Sequence, residues 1–164
     1  MLVFLQGDLF QSQAQTLVNA VNLAGFMGKG IALEFKRRYP GMYAEYKYLC
    51  ESGQFEIGDL HLYRGQDHWV LNFPTKRHYR SKSKLEYIEL GLTVLREKYQ
   101  DWGITSIAMP ALGCGLGGLS WSDVRAAMTE QLEDLPIRIE AYGPGYNTEP
   151  QPDDDSGPRQ PQLL

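Results

Sequence analysis

Apolar and polar positions along this chain switch between two periods. "MLVFLQG" opens with five apolar residues before the polar pair Gln6-Gly7, the pattern of a buried strand. "TLVNAVN", ending at Asn22, is short, apolar and rich in β-branched residues. "DLHLYR" and "HWVLNFP" flank the turn "GQD" and predict two hairpin strands, while "ITSIAMP" and "IRIEAYG" predict a buried strand and a last strand. Between these the period lengthens. "GIALEFKRRYP" starts after a glycine-rich turn and stops at Pro40, as a helix should. "GMYAEYKYLCESG" predicts a second short helix closed by Gly53. Leu85, Ile88, Leu92, Leu95 and Tyr99 recur at three- and four-residue steps, which predicts an amphipathic helix ended by Gly103. "SWSDVRAAMTEQLEDLP" predicts a helix with Ser120 or Ser122 as N-cap, finished before Pro136. Strands alternating with helices predict an α/β layer fold with a mostly parallel or mixed sheet. Ligands in such sheets sit beyond the carboxyl ends of the strands, on loops that lead into helices.

Composition narrows the class. A chain of 164 residues suits one domain, and 43% hydrophobic with 22% charged residues is ordinary for a globular protein. No apolar run approaches the roughly 20 residues needed to span a bilayer, so no membrane partner is expected. The N-terminus lacks the basic segment of a signal peptide. Cys50 and Cys114 make no disulfide framework, and a reducing, cytoplasmic setting is the expectation. The segment 147–164 is rich in Pro, Asp and Gln and has no periodicity, which predicts a disordered acidic tail or linker after a domain of residues 1–146.

Charge singles out one stretch. The net charge is -4, but the segment 147–164 holds Glu149, Asp153, Asp154 and Asp155 against Arg159 alone, so the body is close to neutral. Against that body, Lys76, Arg77, Arg80, Lys82 and Lys84 crowd into "KRHYRSKSK". Such a cluster is a local electrostatic footprint, not a general polycation. The same stretch also reads as a solvated basic loop, and for Lys82 and Lys84 at a helix start that plain reading has equal standing.

Three loops fall in the ligand-binding position. "NLAGFMGKG", from Asn22 to Gly30, joins a strand to a helix; its glycines let backbone amides approach an anion at the helix N-terminus, or serve a tight turn only. It matches neither a Walker loop nor the dinucleotide fingerprint. "PALGCGLGGLSW", from Pro110 to Trp121, is a second glycine-rich loop between a strand and a helix, and two in one small domain point to a clamp for a diphosphate or nucleotide. Cys114 lies inside it without a visible base and reads as packing, not as a nucleophile. The third loop carries Thr75, Lys76, Arg77, His78 and Tyr79. The histidines do not share metal-ligand spacing, and no metal site is expected.

"GDLF" (7–10), Asn19 and Asn22, "GFMGKGIALEFKRRYP", "PTKRH" and "MPALGCGLGGLSW" together resemble the macrodomain family, over residues 1 to about 146. The resemblance implies a three-layer α/β/α fold with a central mixed sheet that binds ADP-ribose. It is closest to the terminal ADP-ribose glycohydrolase branch with a "TK" before the long helix, and within that branch to antitoxins that remove ADP-ribose from thymidine in DNA. By resemblance, Asp8 accepts the adenine amino group with Leu9 beside it, and Asn22 faces the distal ribose. Gly28, Gly30 and Ile31 hold phosphate and ribose. Pro110, Leu112, Gly113, Cys114, Gly115, Leu116, Gly117 and Gly118 wrap the diphosphate, and Tyr142 stacks on adenine. Lys76 matches the lysine regarded as catalytic. Where the human-type members carry an aspartate paired with that lysine, this chain has Gly117, so the arrangement is lysine-only. The implied partners are ADP-ribosylated single-stranded DNA and a cognate DNA ADP-ribosyltransferase toxin met through a further C-terminal domain.

The chemistry fits those residues. Cleaving an N-glycosidic bond passes through an oxocarbenium-like state, usually served by two carboxylates, and no such pair is visible at these loops. A neutral Lys76 can instead attack the anomeric carbon or form a Schiff base, given a pKa lowered by burial or by cationic neighbours, for which Arg77 and Arg80 are the expectation. A protonated Lys76 steering the leaving base is the alternative. Arg77, His78, Tyr79 and Arg80 are candidate DNA contacts, with Tyr79 stacking on a base. Hydrolysis of protein-linked ADP-ribose esters, non-catalytic reading of ADP-ribose, and plain nucleotide-phosphate binding are the competing functions. No separate cofactor is called for.

Overall fold

A computed structural model describes residues 1–144; the tail expected at 147–164 lies outside the described residues. The elements run β1 (Leu2–Leu5), β2 (Thr16–Asn22), α1 (Gly30–Arg38), α2 (Pro40–Glu51), β3 (His61–Arg64), β4 (Trp69–Lys76), α3 (Leu85–Trp102), β5 (Ser106–Met109), α4 (Trp121–Leu132) and β6 (Arg138–Tyr142), with single 3-10 turns at Leu9–Gln11 and Gly115–Gly117. The sheet order is β1-β6-β5-β2-β4-β3. All neighbours are parallel except β3, which pairs antiparallel with β4 as the hairpin pattern requires. The sheet is therefore mixed.

Strand alternation builds the layers. Val18, Leu71, Phe73, Ile107 and Ile139 face the cluster that contains Ile88, Leu92, Leu95 and Tyr99 of α3 and Val124, Met128 and Leu132 of α4. Leu17, Val21, Val70 and Ala108 face the opposite way, onto Phe35 of α1 and Met42 and Tyr46 of α2. One helix pair covers each face, which gives α/β/α. The α3 periodicity behaves as expected: four of its five apolar positions are buried, Leu85 is half-buried, and Gly103 caps the helix in the left-handed region at φ 84°. Ser120, not Ser122, caps α4, its hydroxyl accepting from the Asp123 amide at 3.4 Å.

Three expectations change. β1 is not a buried strand: all four residues are half-buried, because it pairs only with β6 at the sheet edge. Pro40 does more than stop α1; it occupies the first turn of α2, where its missing N–H costs nothing. The strand "HWVLNFP" continues through Lys76, so Thr75 and Lys76 belong to β4 and not to the loop after it.

Candidate functional site

The site is built at the carboxyl ends of β2 and β4. Up to Val21 the two strands pair in step, with Val21 opposite Pro74; then the register slips and Asn22 stands opposite Lys76. Thr75 is the extra residue of this bulge, and its hydroxyl lies 3.4 Å from the Val21 carbonyl, to which it donates. Bulges re-aim a side chain at a strand end; here the result is that Lys76 and Asn22 are direct neighbours. The Lys76 amine donates to the Tyr79 carbonyl at 3.2 Å. Its pKa is held below the ordinary lysine value, first by burial and then by the positive charges of Lys82 and Lys29. The expected neighbours, Arg77 and Arg80, are not the cause. Arg77 turns away to Glu56 at 3.1 Å, and Arg80 lies over the Tyr79 ring at 5.5 Å.

The first glycine-rich loop is organised by Asn22, whose residue is only 7% exposed. Its Oδ1 accepts from the Ala24 amide and from the Tyr46 hydroxyl, each at 2.9 Å, and its Nδ2 donates to the Phe26 carbonyl at 3.0 Å. The side chain thus holds the loop's shape first and has one N–H left to face a sugar. Tyr46, from α2, is a supporting residue that sequence reasoning missed; its hydroxyl also donates to the Asn22 carbonyl at 2.9 Å, and burial drives its pKa well above the usual range. A side chain at Gly28 would meet only open space, so ligand atoms can approach the backbone there. Lys29 is the N-cap of α1 without a side-chain cap, and the first turn has no acidic residue. The amides of Gly30 and Ile31 therefore open α1 with a cation beside them, which suits an anion. Ile31 itself packs on the core cluster of that face.

The second glycine-rich loop is divided between packing and binding. Pro110, Leu112, Gly113 and Cys114 are buried. Burial, aided by Asp123, pushes the Cys114 thiol up to about 12, in line with its reading as packing. Two of the amides expected to hold the diphosphate are already committed: Cys114 N–H donates to the Ala111 carbonyl at 3.1 Å, and Gly118 N–H to the Cys114 and Gly115 carbonyls at 3.0 and 3.2 Å. The amides of Gly115 and Leu116, at the start of the 3-10 turn, are among those left to an anion. Gly117 is buried against Ser83: a Cβ there would lie 2.4 Å from Ser83 Oγ, and its carbonyl accepts from the Ser83 amide at 3.0 Å. Ser83 fills the space that a side chain at 117 would need. Lys82 is not merely solvated; its chain passes over Gly118, with Nζ 3.6 Å from where a Cβ would stand. Sequence reasoning had no signal for either contact, because both join positions more than thirty residues apart.

The remaining candidates are placed as follows. Asp8 Oδ1 accepts from the Phe10 amide at 2.9 Å and fixes the turn after β1, while Leu9 is buried in the core. Tyr142 is 9% exposed, its hydroxyl donates to Glu140 at 2.9 Å, and its ring lies 3.7 Å from where a Cβ on Gly7 would stand. The ring is thus mostly buried beside the Gly7–Asp8 turn. His78 and Tyr79 stack at 4.2 Å, and both are exposed. Among the described residues there is no cluster of three His, Cys, Asp or Glu that could hold a metal ion.

Comparison with known proteins agrees with this fold. A Macro domain family model matches residues 18–128. The chain is 44% identical to a DNA ADP-ribosyl glycohydrolase of Thermus aquaticus over 90% of its own length and 42% of the relative's, so it spans less than half of that protein. It superposes on the macrodomain of Mycobacterium tuberculosis DarG with a TM-score of 0.84 at 43% identity, covering 88% of this chain and 98% of that one. A Thermosipho africanus DarTG structure in complex with ADP-ribose matches with a TM-score of 0.83 at 38% identity, over 98% of this chain and 45% of that one.

Proposed function

The chain belongs to the macrodomain family, and from that premise we propose that it is a glycohydrolase that removes ADP-ribose from thymidine bases of single-stranded DNA. The observation that carries this reading is Lys76. It is an amine with a lowered pKa, set beside Asn22 by the β4 bulge, next to two glycine-rich loops with amides to spare for a diphosphate. The relatives named as DNA ADP-ribosyl glycohydrolases support the substrate.

The chemistry follows from the amine. Neutral Lys76 donates its lone pair to the anomeric carbon while the glycosidic bond breaks and the thymine leaves with the bonding pair. Loss of the amine proton and opening of the ribose give a Schiff base, which water hydrolyses to return the lysine and free ADP-ribose. No carboxylate partner is needed for this route, which fits glycine at position 117. In this reading the protein counteracts a DNA ADP-ribosyltransferase toxin. The curated Thermosipho africanus relative, a fusion of a DNA ADP-ribosyl transferase with a DNA ADP-ribosyl glycohydrolase, supports the pairing. DNA as substrate makes the cytoplasm the working compartment.

Incubation with single-stranded DNA carrying ADP-ribosylated thymidine is the test, wild type beside Lys76→Ala. Wild type releases ADP-ribose; the variant binds ADP-ribose but loses release by at least a hundredfold, the scale on which an activated nucleophile acts. Full release by Lys76→Ala would overturn the lysine mechanism. Release from ester-modified protein but not from DNA would move the activity to protein substrates.

A further inference from the structure

Phe26 and Tyr79 come from different loops and meet at the mouth of the site. Their rings stand edge to face, centroids 5.2 Å apart at 75°. Both are exposed, Phe26 by 55% and Tyr79 by 42%. Neither is a loose surface ring. The Phe26 carbonyl accepts from Asn22 Nδ2 at 3.0 Å, so the loop that carries it is pinned from beneath. The Tyr79 ring stacks on His78 at 4.2 Å, and the Tyr79 carbonyl accepts from the Lys76 amine at 3.2 Å. The aromatic pair is thus fixed to the same two loops that hold Asn22 and Lys76.

Resting on the glycohydrolase reading above, we propose that Phe26 and Tyr79 form a platform on which the nucleobase next to the modified thymidine stacks, and that this platform selects single-stranded nucleic acid over protein-linked ADP-ribose. The surroundings favour a nucleic acid over a polypeptide. Arg80 lies on the Tyr79 ring at 5.5 Å, and Lys29, Lys82 and Lys84 stand on the adjoining segments. Among the described residues none of these four cations is ion-paired with a carboxylate. Exposed rings interleaved with unpaired cations are what single-strand binders use, rings for the bases and cations for the backbone. A protein ester offers neither a base to stack nor a phosphate chain to follow.

The test compares two substrates. One is a short single-stranded oligonucleotide with a central ADP-ribosylated thymidine; the other is ADP-ribosylated thymidine alone. Phe26→Ala is expected to lower kcat/KM on the oligonucleotide by about tenfold to a hundredfold, chiefly through KM. It should leave the nucleoside substrate and ADP-ribose affinity unchanged, and Phe26→Trp should restore the oligonucleotide. Equal loss on both substrates, or no loss on either, would overturn the platform. If wild type releases ADP-ribose from neither, the glycohydrolase reading fails. The platform is then judged by equilibrium binding of the same two compounds: weaker binding of the oligonucleotide alone upholds it, and unchanged or equally weakened binding overturns it.

Discussion

The Lys76 amine is set apart by where its neighbours are. Burial and the charges of Lys82 and Lys29 lower its pKa, so neutral amine is present at a lower pH than for a solvated lysine. A step that needs the neutral form speeds up as pH rises through the amine's pKa and levels off above it. Lys82→Ala removes one repelling charge, lets that pKa rise, and so moves the rising limb to higher pH. Arg77→Ala leaves the limb in place, because Arg77 is paired with Glu56. Single-turnover rates against pH on modified oligonucleotide decide this; an unmoved limb in Lys82→Ala would leave burial and Lys29 as the causes. The neighbouring glycine gives a second prediction. Introducing the human-type carboxylate by Gly117→Asp places a Cβ 2.4 Å from Ser83 Oγ and 3.0 Å from Ser83 Cβ. Overpacking of this kind costs about 1–3 kcal/mol. Gly117→Asp should therefore lower the thermal midpoint, and Ser83→Gly added to it should recover most of the loss.

At the scale of elements, α3 must lie close on β4 for the site to form, since β4 ends in Lys76 and α3 follows the segment that holds Ser83. The close approach is at Gly91, where a Cβ would lie 2.3 Å from Phe73 Cζ. Two effects compete in Gly91→Ala. Alanine favours a helix interior over glycine by about 1 kcal/mol, while forcing a methyl into a fully buried ring costs about 1–3 kcal/mol. Phe73 is completely buried and cannot swing aside, so the clash wins. The denaturant midpoint of Gly91→Ala should fall, and Phe73→Leu in the same chain should offset part of it. These contacts also mark what the sequence could not convey. The stripe of α3, the hairpin and the two glycine-rich loops were readable because each rests on residues within one element. The bulge at Thr75 depends on the register with β2, and Lys82 on Gly118 and Phe26 on Tyr79 depend on how separate loops meet. The relay from Asn19 through Asn72 and His61 to Glu45 crosses three strands and a helix. None of these leaves a local pattern. Arg77 and Arg80 are near Lys76 in sequence, and the fold turns Arg77 to Glu56 and Arg80 onto the Tyr79 ring.

Across the whole molecule, charge separates two kinds of binding. The chain carries a net charge of -4, yet Lys29 and Lys82 act on Lys76 and Arg80 lies on Tyr79, all three without carboxylate partners among the described residues. Arg96 with Asp134 and Arg138 with Glu140 pair on other elements, and Arg77, next to Lys76, is held by Glu56. A negative protein that binds DNA must do so through such a patch, and each phosphate it neutralises lowers log affinity by about 0.7 per decade of salt on a single strand. On the proposed reading ADP-ribose is held by loop amides and the α1 N-terminus, and it should depend on salt more weakly. The expected result is a steeper salt slope for the modified oligonucleotide than for ADP-ribose, with Arg80→Gln flattening the oligonucleotide slope by up to about 0.7 and leaving the ADP-ribose slope unchanged. Lys82→Gln, whose chain passes over Gly118 in the second glycine-rich loop, should flatten both. Equal slopes for the two ligands in wild type would mean that the DNA backbone is not held at this patch, and that the base and the ADP-ribose carry all of the recognition.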